Sequence, residues 1–402
     1  MIEARDGEVG GHRKSGFRSR QRWAVMAVTL LTAVSPPVPA DTNATPAAPA
    51  GPDTQPSPTE VLPAGQWATV NRSIDRALAY IAAQQEPDGS FRTVSLGQPA
   101  VTSLCVLAFL SRGHLPGQGR YGVHLDKALD YVLACQQEDG LLSVPDPGTR
   151  RDIQTGQTAA YNHPIAGLML SEAYGMCDPE QSRKIRPAVQ SAVAFALHRY
   201  PQPKRHADDR GGWRYLRRHQ SSDSDLSVTS WYLMFLRSSR NAGFEVPVSV
   251  IDEALEFVRR CYDPEKHIFW YALRGREHVS TRGMVGAGVL SLSLAGAHET
   301  EMAQQAGQWL LEHPFEQYME TVGHHDRFFY GAFYCSHAMF QLGGRYWSEF
   351  YPVLVRTLVN GQNASGAWDK DKWDGPYGEV YSTAMGVLAL SPPHQLLPIF
   401  QR

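Results

Sequence analysis

Residues 85–91 read Gln-Glu-Pro-Asp-Gly-Ser-Phe and residues 362–368 read Gln-Asn-Ala-Ser-Gly-Ala-Trp, so both have the form Gln-x-x-x-Gly-x-aromatic. A degenerate copy runs from Gln136 to Gly140 with Leu142 in the aromatic place, and Asp209–Trp213 keeps only the glycine and the tryptophan. Each unit of a repeat protein must bury its apolar face on its neighbours, so a recurring motif decides the architecture more firmly than any single residue. The chain is therefore predicted to be a repeat protein.

Between these motifs, apolar residues recur at the spacing of an amphipathic helix. Ile74, Ala77, Leu78 and Ile81 occupy positions i, i+3, i+4 and i+7, which share one face of a helix. Five further stretches repeat this stripe: Leu125–Val132, Val189–Ala196, Ile251–Val258, Met302–Trp309 and Phe350–Leu358. These six stretches are predicted to be helices with one face in water.

Each striped helix is followed by a stretch that is apolar on most sides and rich in Ala, Gly and Ser. These partners lie near residues 99–112, 157–175, 226–241, 281–296, 328–342 and 378–390. A helix that is apolar all round is buried, so these stretches form an inner layer. The sequence shows no hydrophilic capping repeat at either end, which favours a closed ring over an open superhelix. We predict an all-α fold, an (α/α)6 toroid of six outer–inner helix hairpins.

The N-terminal residues differ in character from the repeats. Basic residues from His12 to Arg22 precede an apolar run from Trp23 to Val34, and Val38-Pro39-Ala40 supplies small residues for cleavage. This order resembles a secretory signal peptide over residues 1–40, and the apolar run is too short to span a bilayer comfortably. We expect cleavage after Ala40, export to the periplasm or the extracellular space, and no stable membrane span after processing.

Residues 41–65, rich in Pro, Ala and Thr, are predicted to be a disordered linker before a toroid domain of residues 66–402. The chain has a formal net charge of −2 and no basic stripe, which argues against a nucleic acid partner. The five cysteines cannot all pair with one another. Whether Cys177 and Cys261 pair stays open, as does the oligomeric state.

Over roughly residues 67–402 the chain resembles the squalene cyclase and protein prenyltransferase repeat family. Members of that family share the α/α toroid, and its cyclases carry the Gln-x-x-x-Gly-x-Trp motif seen here at Gln85 and Gln362. The resemblance implies an apolar, isoprenoid-like ligand in the central cavity of the toroid. The motif itself concerns stability, since its glycine frees the link to turn and its glutamine amide can satisfy backbone groups.

Cyclases of this family protonate an alkene with an Asp-x-Asp-Asp cluster at the start of an inner helix, where burial and a like-charged neighbour keep one carboxylic acid neutral. The matching stretch here is Asp223-Ser224-Asp225-Leu226, in which two carboxylates are present and Leu226 replaces the last. The register of this stretch against the cyclase motif stays open. If Asp223 and Asp225 both face a dry cavity, repulsion and desolvation should keep one of them protonated, and we predict that Asp225 is the acid, with His163 or Tyr330 as its partner.

Protein prenyltransferases of the same family hold a catalytic zinc ion with Asp, Cys and His. Their histidine lies in a Phe-Tyr-His-Thr type run, and the nearest match here is Phe329-Tyr330-Gly331-Ala332. Glycine stands in the place of the ligand. We therefore expect no metal and no other cofactor.

In a toroid the starts of the inner helices point to one mouth, so polar residues there should meet on one concave surface. The catalytic candidates are Asp225, Asp223, His163 and Tyr330. The candidates for substrate binding are Asp326, Glu379, Tyr381, Trp231 and Phe329. A structural role stays open for Asp225 and Glu379, which stand four residues before a threonine where they could cap a helix, and for His163, which could cap or pack.

Three functions remain open on these observations. The first is an exported enzyme or binder that acts on an apolar, isoprenoid-like ligand by acid–base chemistry. The second is a polysaccharide-active toroid, either a hydrolase or a lyase, and the third is a noncatalytic scaffold for protein interaction. A cavity lined mainly by aromatic residues would favour the first, a wet acidic cleft the second, and a filled centre the third.

Overall fold

The computed structural model describes residues 59–150, 152–217 and 222–402. The predicted signal peptide of residues 1–40, and most of the predicted linker of residues 41–65, lie outside these ranges. The first helix begins at Ala64, two residues before the predicted start of the toroid domain. No helix of the described residues combines the length and the apolar character needed to cross a membrane.

Outer and inner helices alternate along the described chain, six of each. The outer helices are α1 (Ala64–Ala83), α3 (Gly122–Ala134), α5 (Pro179–Arg199), α7 (Val248–Arg260), α9 (Glu301–Glu312) and α11 (Gly344–Gly361). The inner helices are α2 (Ala100–Leu110), α4 (Ile153–Tyr174), α6 (Leu226–Asn241), α8 (Arg282–Leu294), α10 (Phe328–Leu342) and α12 (Gly378–Leu390). The predicted all-α toroid of six hairpins is therefore confirmed.

The two layers differ in burial as the apolar patterns predicted. In α7 only one stripe is buried, which includes Ile251, Ala254 and Val258, whereas every residue of α2 is buried. Between α7 and α8 two short strands, β1 (Tyr262–Asp263) and β2 (Ile268–Phe269), pair antiparallel with Tyr262 opposite Phe269. The inner helices pack on one another around the ring, and the outer helices shield them from water.

The glutamine of each complete link motif ties its link to the next outer helix. The Nε2 of Gln85 donates to the carbonyl of Gly89 at 3.0 Å and to that of His124 in α3 at 2.8 Å. The last link repeats this geometry on the first helix, because Gln362 Nε2 donates to the carbonyl of Ser73 in α1 at 2.8 Å. The same contact that joins neighbouring repeats thus closes the ring.

The glycine of the motif is required by a close approach between backbones. Gly366 has φ +92°, and a Cβ at this position would lie 2.6 Å from the carbonyl oxygen of Arg76 in α1. Gly89 has φ +94°, and a Cβ there would lie 2.3 Å from the carbonyl oxygen of Lys127 in α3. A side chain would be strained by the backbone conformation and would also push the next outer helix away.

In three links the backbone amide of the aromatic residue donates to a threonine hydroxyl in the first turns of the inner helix. These pairs are Phe91 with Thr102 at 2.9 Å, Trp213 with Thr229 at 3.0 Å and Trp368 with Thr383 at 3.1 Å. In the second repeat the amide of Leu142 donates instead to Nδ1 of His163, at 3.1 Å. His163 therefore occupies the place of the threonine.

The opposite end of the ring, where the inner helices end, is covered by residues 391–402. The ring of Phe400 stacks on His337 of α10 with centroids 3.9 Å apart, and Gln341 Nε2 donates to the carbonyl of Phe400 at 2.8 Å. The amide of Ile399 donates to Oε2 of Glu172, near the end of α4, at 3.2 Å. All five cysteines lie in the described ranges as free thiols, so Cys177 and Cys261 are not paired.

Candidate functional site

A cavity of about 550 Å³ lies where the inner helices begin. Every inner helix contributes lining residues from its first turns, as the expected convergence of helix starts requires. Examples in chain order are Val101, Tyr161, Ser227, Met284, Tyr330 and Tyr381. Helix N-termini carry unpaired amides and a partial positive charge, so this end of the ring suits polar or anionic groups of a ligand.

Tyrosine and tryptophan dominate the aromatic lining of this cavity. Among the described residues it holds six tyrosines and two tryptophans but no phenylalanine: Tyr161, Tyr215, Tyr271, Tyr330, Tyr377, Tyr381, Trp231 and Trp373. A tyrosine offers an apolar ring face together with a hydroxyl that can donate or accept a hydrogen bond. The wall can therefore pack against an apolar surface and pair with polar groups at the same time.

Several of these hydroxyls are already linked to one another. Tyr161 donates to Ser227 Oγ at 3.0 Å, and Ser227 Oγ lies 2.6 Å from the hydroxyl of Tyr330. The indole N–H of Trp231 donates to the same Tyr330 hydroxyl at 3.2 Å. Burial raises the pKa of Tyr330 to about 12, so its hydroxyl stays protonated at neutral pH. Tyr330 and Trp231 thus form a fixed, neutral part of the cavity wall.

The charged groups at the cavity lie mainly in the links between helices. Glu277 belongs to the short turn Gly275–Glu277 before α8, and its carboxylate is paired with the buried guanidinium of Arg214. Asp374, before α12, is paired with Arg327 and accepts from the hydroxyl of Tyr381 at 3.2 Å. Two carboxylates are therefore held at the cavity by ion pairs.

The predicted acid Asp225 is fully buried behind the wall and is not among the residues that line the cavity. It caps α6, because its Oδ1 accepts from the amide of Val228 at 2.8 Å, and its Oδ2 lies 3.7 Å from Nη1 of Arg214. Burial raises the pKa of Asp225 to about 6, although Arg214 and the Val228 amide lower it. The expected elevated pKa is present, but the residue holds a helix start rather than facing the cavity.

Asp223 does not act as the like-charged neighbour that was expected. Its carboxylate accepts from the backbone amide of Arg205 at 2.7 Å and from the guanidinium of the same residue at 2.8 Å. The guanidinium of Arg205 compensates the charge of this carboxylate, and Asp223 lies outside the central cavity. Burial, and not repulsion by Asp223, is the main reason that the pKa of Asp225 is high.

His163 also lies outside the lining of the cavity. It is fully buried, with Nδ1 accepting from Leu142 and Nε2 donating to the carbonyl of Ala192 at 3.2 Å. Burial lowers its pKa to about 3, so the ring stays neutral. With both nitrogens occupied by backbone groups, His163 has no proton to exchange with a ligand, and its role is structural.

Asp326 and Glu379 are likewise committed elsewhere. Asp326 forms a fully buried ion pair with Arg282 at 2.7 Å, and Arg282 also donates to the carbonyls of Pro314 and Glu320. Glu379 accepts from the hydroxyl of Tyr80 on outer helix α1 at 3.0 Å, away from the cavity. The Asp326 carboxylate therefore links α8 to the loop before α10, and the Glu379 carboxylate links α12 to α1.

Phe329 is buried on the side of α10 that does not face the cavity. It packs edge-to-face on Phe328 at 5.2 Å and on Tyr318 at 6.3 Å, measured between ring centroids. Successive side chains of a helix point about 100° apart, and on α10 it is Tyr330, not Phe329, that lines the cavity. Of the residues predicted for the site, Tyr330, Tyr381 and Trp231 line it.

The cavity lining also includes Glu277, Asp374, Tyr215 and Tyr271, which lie in links and were not predicted for the site. A signal for the two tyrosines was present. Tyr215 follows the link residue Trp213 by two positions, and Tyr271 follows Phe269 in the same way. Their hydroxyls lie 2.7 Å apart in the cavity wall. The shared spacing from the aromatic residue of the link is the sequence signal that marks this pair.

Solved structures with the same fold include proteins that act on sugars and proteins that act on isoprenoids. An inactive variant of an α-1,6-mannanase from Salegentibacter sp. HEL1_6, in complex with α-1,6-mannotriose, shows 9% identity and a TM-score of 0.57 and covers 81% of this chain and 99% of its own. A family 76 glycoside hydrolase from a bovine Bacteroides thetaiotaomicron strain shows 14% identity and a TM-score of 0.57, covering 80% of this chain and 77% of its own.

A variant of a type II terpene cyclase from Scytonema, in complex with geranylgeranyl dihydroxybenzoate, shows 15% identity and a TM-score of 0.53 and covers 84% of this chain and 100% of its own. No protein-family model and no curated protein matches the sequence. At these identities the likeness shows the fold, an α/α toroid, and leaves the chemistry to the residues of the cavity.

Proposed function

We propose that the protein binds a saccharide chain in the central cavity and cleaves it. The observation that carries this proposal is that the described wall holds tyrosine and tryptophan but no phenylalanine, so each of these rings carries a hydroxyl or an N–H, and that two carboxylates lie among them. Aromatic rings alone would favour an isoprenoid-like ligand, whereas polar rings beside Glu277 and Asp374 match the acidic cleft expected of a polysaccharide-active toroid. A sugar ring has apolar C–H faces and a rim of hydroxyls, so it needs flat rings to pack on and many hydrogen-bonding groups around them. The side chains of Gln154, Gln157 and Asn162 add amide donors and acceptors to the same wall.

Glu277 and Asp374 are the proposed acid–base pair. Hydrolysis of a glycosidic bond uses two carboxyl groups, one to protonate the leaving oxygen and one to act as base or nucleophile. Each of these two carboxylates lines the cavity and is fixed by one arginine, Glu277 by Arg214 and Asp374 by Arg327. Such fixation keeps a catalytic group in a productive orientation.

An isoprenoid-like ligand is the second candidate, and the apolar floor of the cavity favours it. Leu104, Ile165, Met284 and Met385 lie there beside Trp231. Acid-initiated cyclisation, however, needs an acid that touches the ligand, and Asp225 lies behind the wall. A noncatalytic scaffold was expected to have a filled centre, and the cavity of about 550 Å³ therefore argues against that function.

The proposal is tested by incubating the purified protein with α-mannan, polygalacturonate and alginate. New reducing ends without ultraviolet absorbance indicate hydrolysis, whereas absorbance from an unsaturated uronide indicates elimination. We expect Glu277→Gln to slow cleavage by roughly 100-fold or more, because a positioned acid or base contributes at least that factor. Glu379→Gln is the matched control, since this carboxylate lies outside the cavity, and it should retain the activity.

Two results would contradict the proposal. One is equal activity of the Glu277→Gln and Glu379→Gln variants. The other is that calorimetry with oligosaccharides from the three polymers shows no binding while a geranylgeranyl compound binds and protects the fold against heat.

A further inference from the structure

A second, smaller cavity lies beside the third repeat. It has a volume of about 230 Å³, and Tyr215 lines both this cavity and the central one. Its other walls come from the end of α5, from the loop after α5 and from the segment Trp213–Arg217. The cavity is several times larger than the space that one ordered water needs.

The lining of this cavity is strongly cationic. It contains four basic side chains, Arg199, Lys204, Arg214 and Arg217, and one carboxylate among the described residues, Asp223. That carboxylate is already bound by the guanidinium and the backbone amide of Arg205. The positive charges therefore exceed the negative charge that faces them.

Three of these cations, Arg199, Lys204 and Arg217, donate their hydrogen bonds in the described residues to backbone carbonyls and not to carboxylates. Lys204 Nζ donates to the carbonyls of Gly212 at 2.8 Å and of Asp223 at 3.1 Å. Arg199 and Arg217 donate to the carbonyls of Leu216 and Pro147. Within the described residues, none of Arg199, Lys204 and Arg217 forms an ion pair with a carboxylate.

Arg214 adds a fourth, deeply buried cation. Its side chain is 3% exposed, it is paired with Glu277 and lies near Asp225, and its Nε has no hydrogen-bond partner among the described residues. The Nε of Arg217 is likewise buried and unpartnered. Unpaired buried N–H groups and partly buried cations without a counter-charge both cost stability, and an anion in the cavity would offset that cost.

We infer that this second cavity binds a tetrahedral oxyanion, a sulfate or a phosphate, either as the free ion or as a monoester. Arginine forks and a lysine ammonium are the groups that bind such anions most strongly, through charge-assisted hydrogen bonds. The volume leaves room for the first atoms of an ester beyond the oxyanion itself. The inference does not depend on the proposed cleavage of saccharides in the central cavity.

The test is calorimetric titration of the full chain with inorganic sulfate, inorganic phosphate and glycerol phosphate at constant ionic strength. Lys204→Gln and Arg217→Gln each remove a charge while keeping a polar side chain, and each should weaken binding by about tenfold or more, as expected for a lost charged hydrogen bond. Arg210→Gln is the control, because Arg210 belongs to the same repeat and is 77% exposed in an ion pair with Glu253.

Tighter binding of glycerol phosphate than of both inorganic ions would identify a monoester as the ligand, and the reverse order would identify the free ion. Absence of saturable binding, or equal affinities in the Arg217→Gln and Arg210→Gln variants, would overturn the inference. Thermal unfolding of each variant establishes that it is folded, and the Arg217 variant keeps the test valid if Lys204→Gln fails to fold.

A pH series gives a second readout. Burial lowers the pKa of Lys204 to about 8, opposed by the carboxylates of Asp223, Asp209 and Asp225 and reinforced by Arg199. Sulfate remains a dianion throughout, so its affinity should fall as pH rises above about 8 and Lys204 loses its proton. The fall should be absent in Lys204→Gln, and an identical fall in both proteins would count against a site at Lys204.

Discussion

The two ends of the ring are built from the same inner helices but meet different partners. Where these helices begin, tyrosine hydroxyls, amides and link carboxylates surround an open cavity. Where they end, the last residues of the chain fill the space, with Phe400 on His337 and the Ile399 amide on Glu172. Helix ends differ in the groups they leave unpaired, so a ring of parallel inner helices has two chemically distinct mouths.

We therefore expect the two ends to differ in what they contribute, one to stability and the other to ligand binding. At the sealed end, which residues 391–402 cover, side chains should contribute to stability and leave ligand binding unchanged. At the open end, where the inner helices begin, side chains should contribute mainly to ligand binding. Substitutions at each end, and a change of pH that acts where the inner helices end, test whether stability and ligand binding separate in this way.

The largest expected effect is at the sealed end. Phe400 is 4% exposed, and truncation of a buried phenylalanine typically costs about 3–5 kcal/mol. We expect Phe400→Ala to lower the free energy of unfolding by about 3 kcal/mol and to leave the saccharide affinity of the folded protein unchanged. Urea unfolding and calorimetric titration measure the two quantities. A loss of affinity as large as the loss of stability would show that the two ends are coupled.

A pH effect of comparable size is expected at the same end. Burial raises the pKa of Glu172 to about 7 from an ordinary value of 4.5, although Ser238 and the Ile399 amide lower it. The folded state therefore binds more protons than the unfolded state between these pH values, and the contribution of Glu172 to stability falls as pH rises through this window, by roughly 3 kcal/mol in total.

Glu172→Gln isolates this contribution, because buried His163 and His337, whose pKa values burial lowers to about 3, shift stability in the opposite direction below pH 6.5. We expect the stability of the wild-type protein relative to the variant to decrease from pH 4.5 to pH 7. A constant difference across that range would mean that the Glu172 carboxyl titrates with an ordinary pKa.

The smallest effect on stability is expected at the open end. Tyr381→Phe removes a hydroxyl that donates to Asp374 at 3.2 Å, and the net value of such a bond is about 1 kcal/mol. We expect a similarly small loss in unfolding free energy but a clear loss of saccharide affinity or cleavage rate, because Asp374 loses one of the groups that orient it. Unchanged affinity and rate would remove Tyr381 from the site.

The fold could be predicted from the sequence because the spacing of apolar residues along a short stretch indicates both that it is a helix and how deeply the helix is buried. Helices α6 and α10 have the predicted bounds, 226–241 and 328–342. Their largely apolar composition placed them correctly in the inner layer. The site was accessible only in part. Tyr330, Tyr381 and Trp231 lie near the starts of inner helices, where a toroid predicts a shared mouth, whereas Glu277 and Asp374 lie in links whose path no period describes.

Asp225 and His163 were predicted for the site but lie outside the cavity lining, and in both cases the reason is local. A short carboxylate before a helix has the same appearance in a sequence whether it caps the helix or protonates a ligand, and Asp225 turned out to cap α6. His163 accepts from the amide of Leu142 as the threonines of other repeats accept from their aromatic residues. The sequence does not reveal this equivalence, because Leu142 replaces the aromatic residue of the link.

The junction between the last and the first repeat has a consequence for how the molecule comes apart. Gln362 holds Ser73 as Gln85 holds His124, so the seam of the ring is chemically the same as its internal joints. A linear array of repeats can fray from its outermost unit, which has one neighbour instead of two. In this protein each hairpin has two neighbours, so amide hydrogen exchange should show no gradient of protection along the chain, and the repeats should melt in one cooperative step.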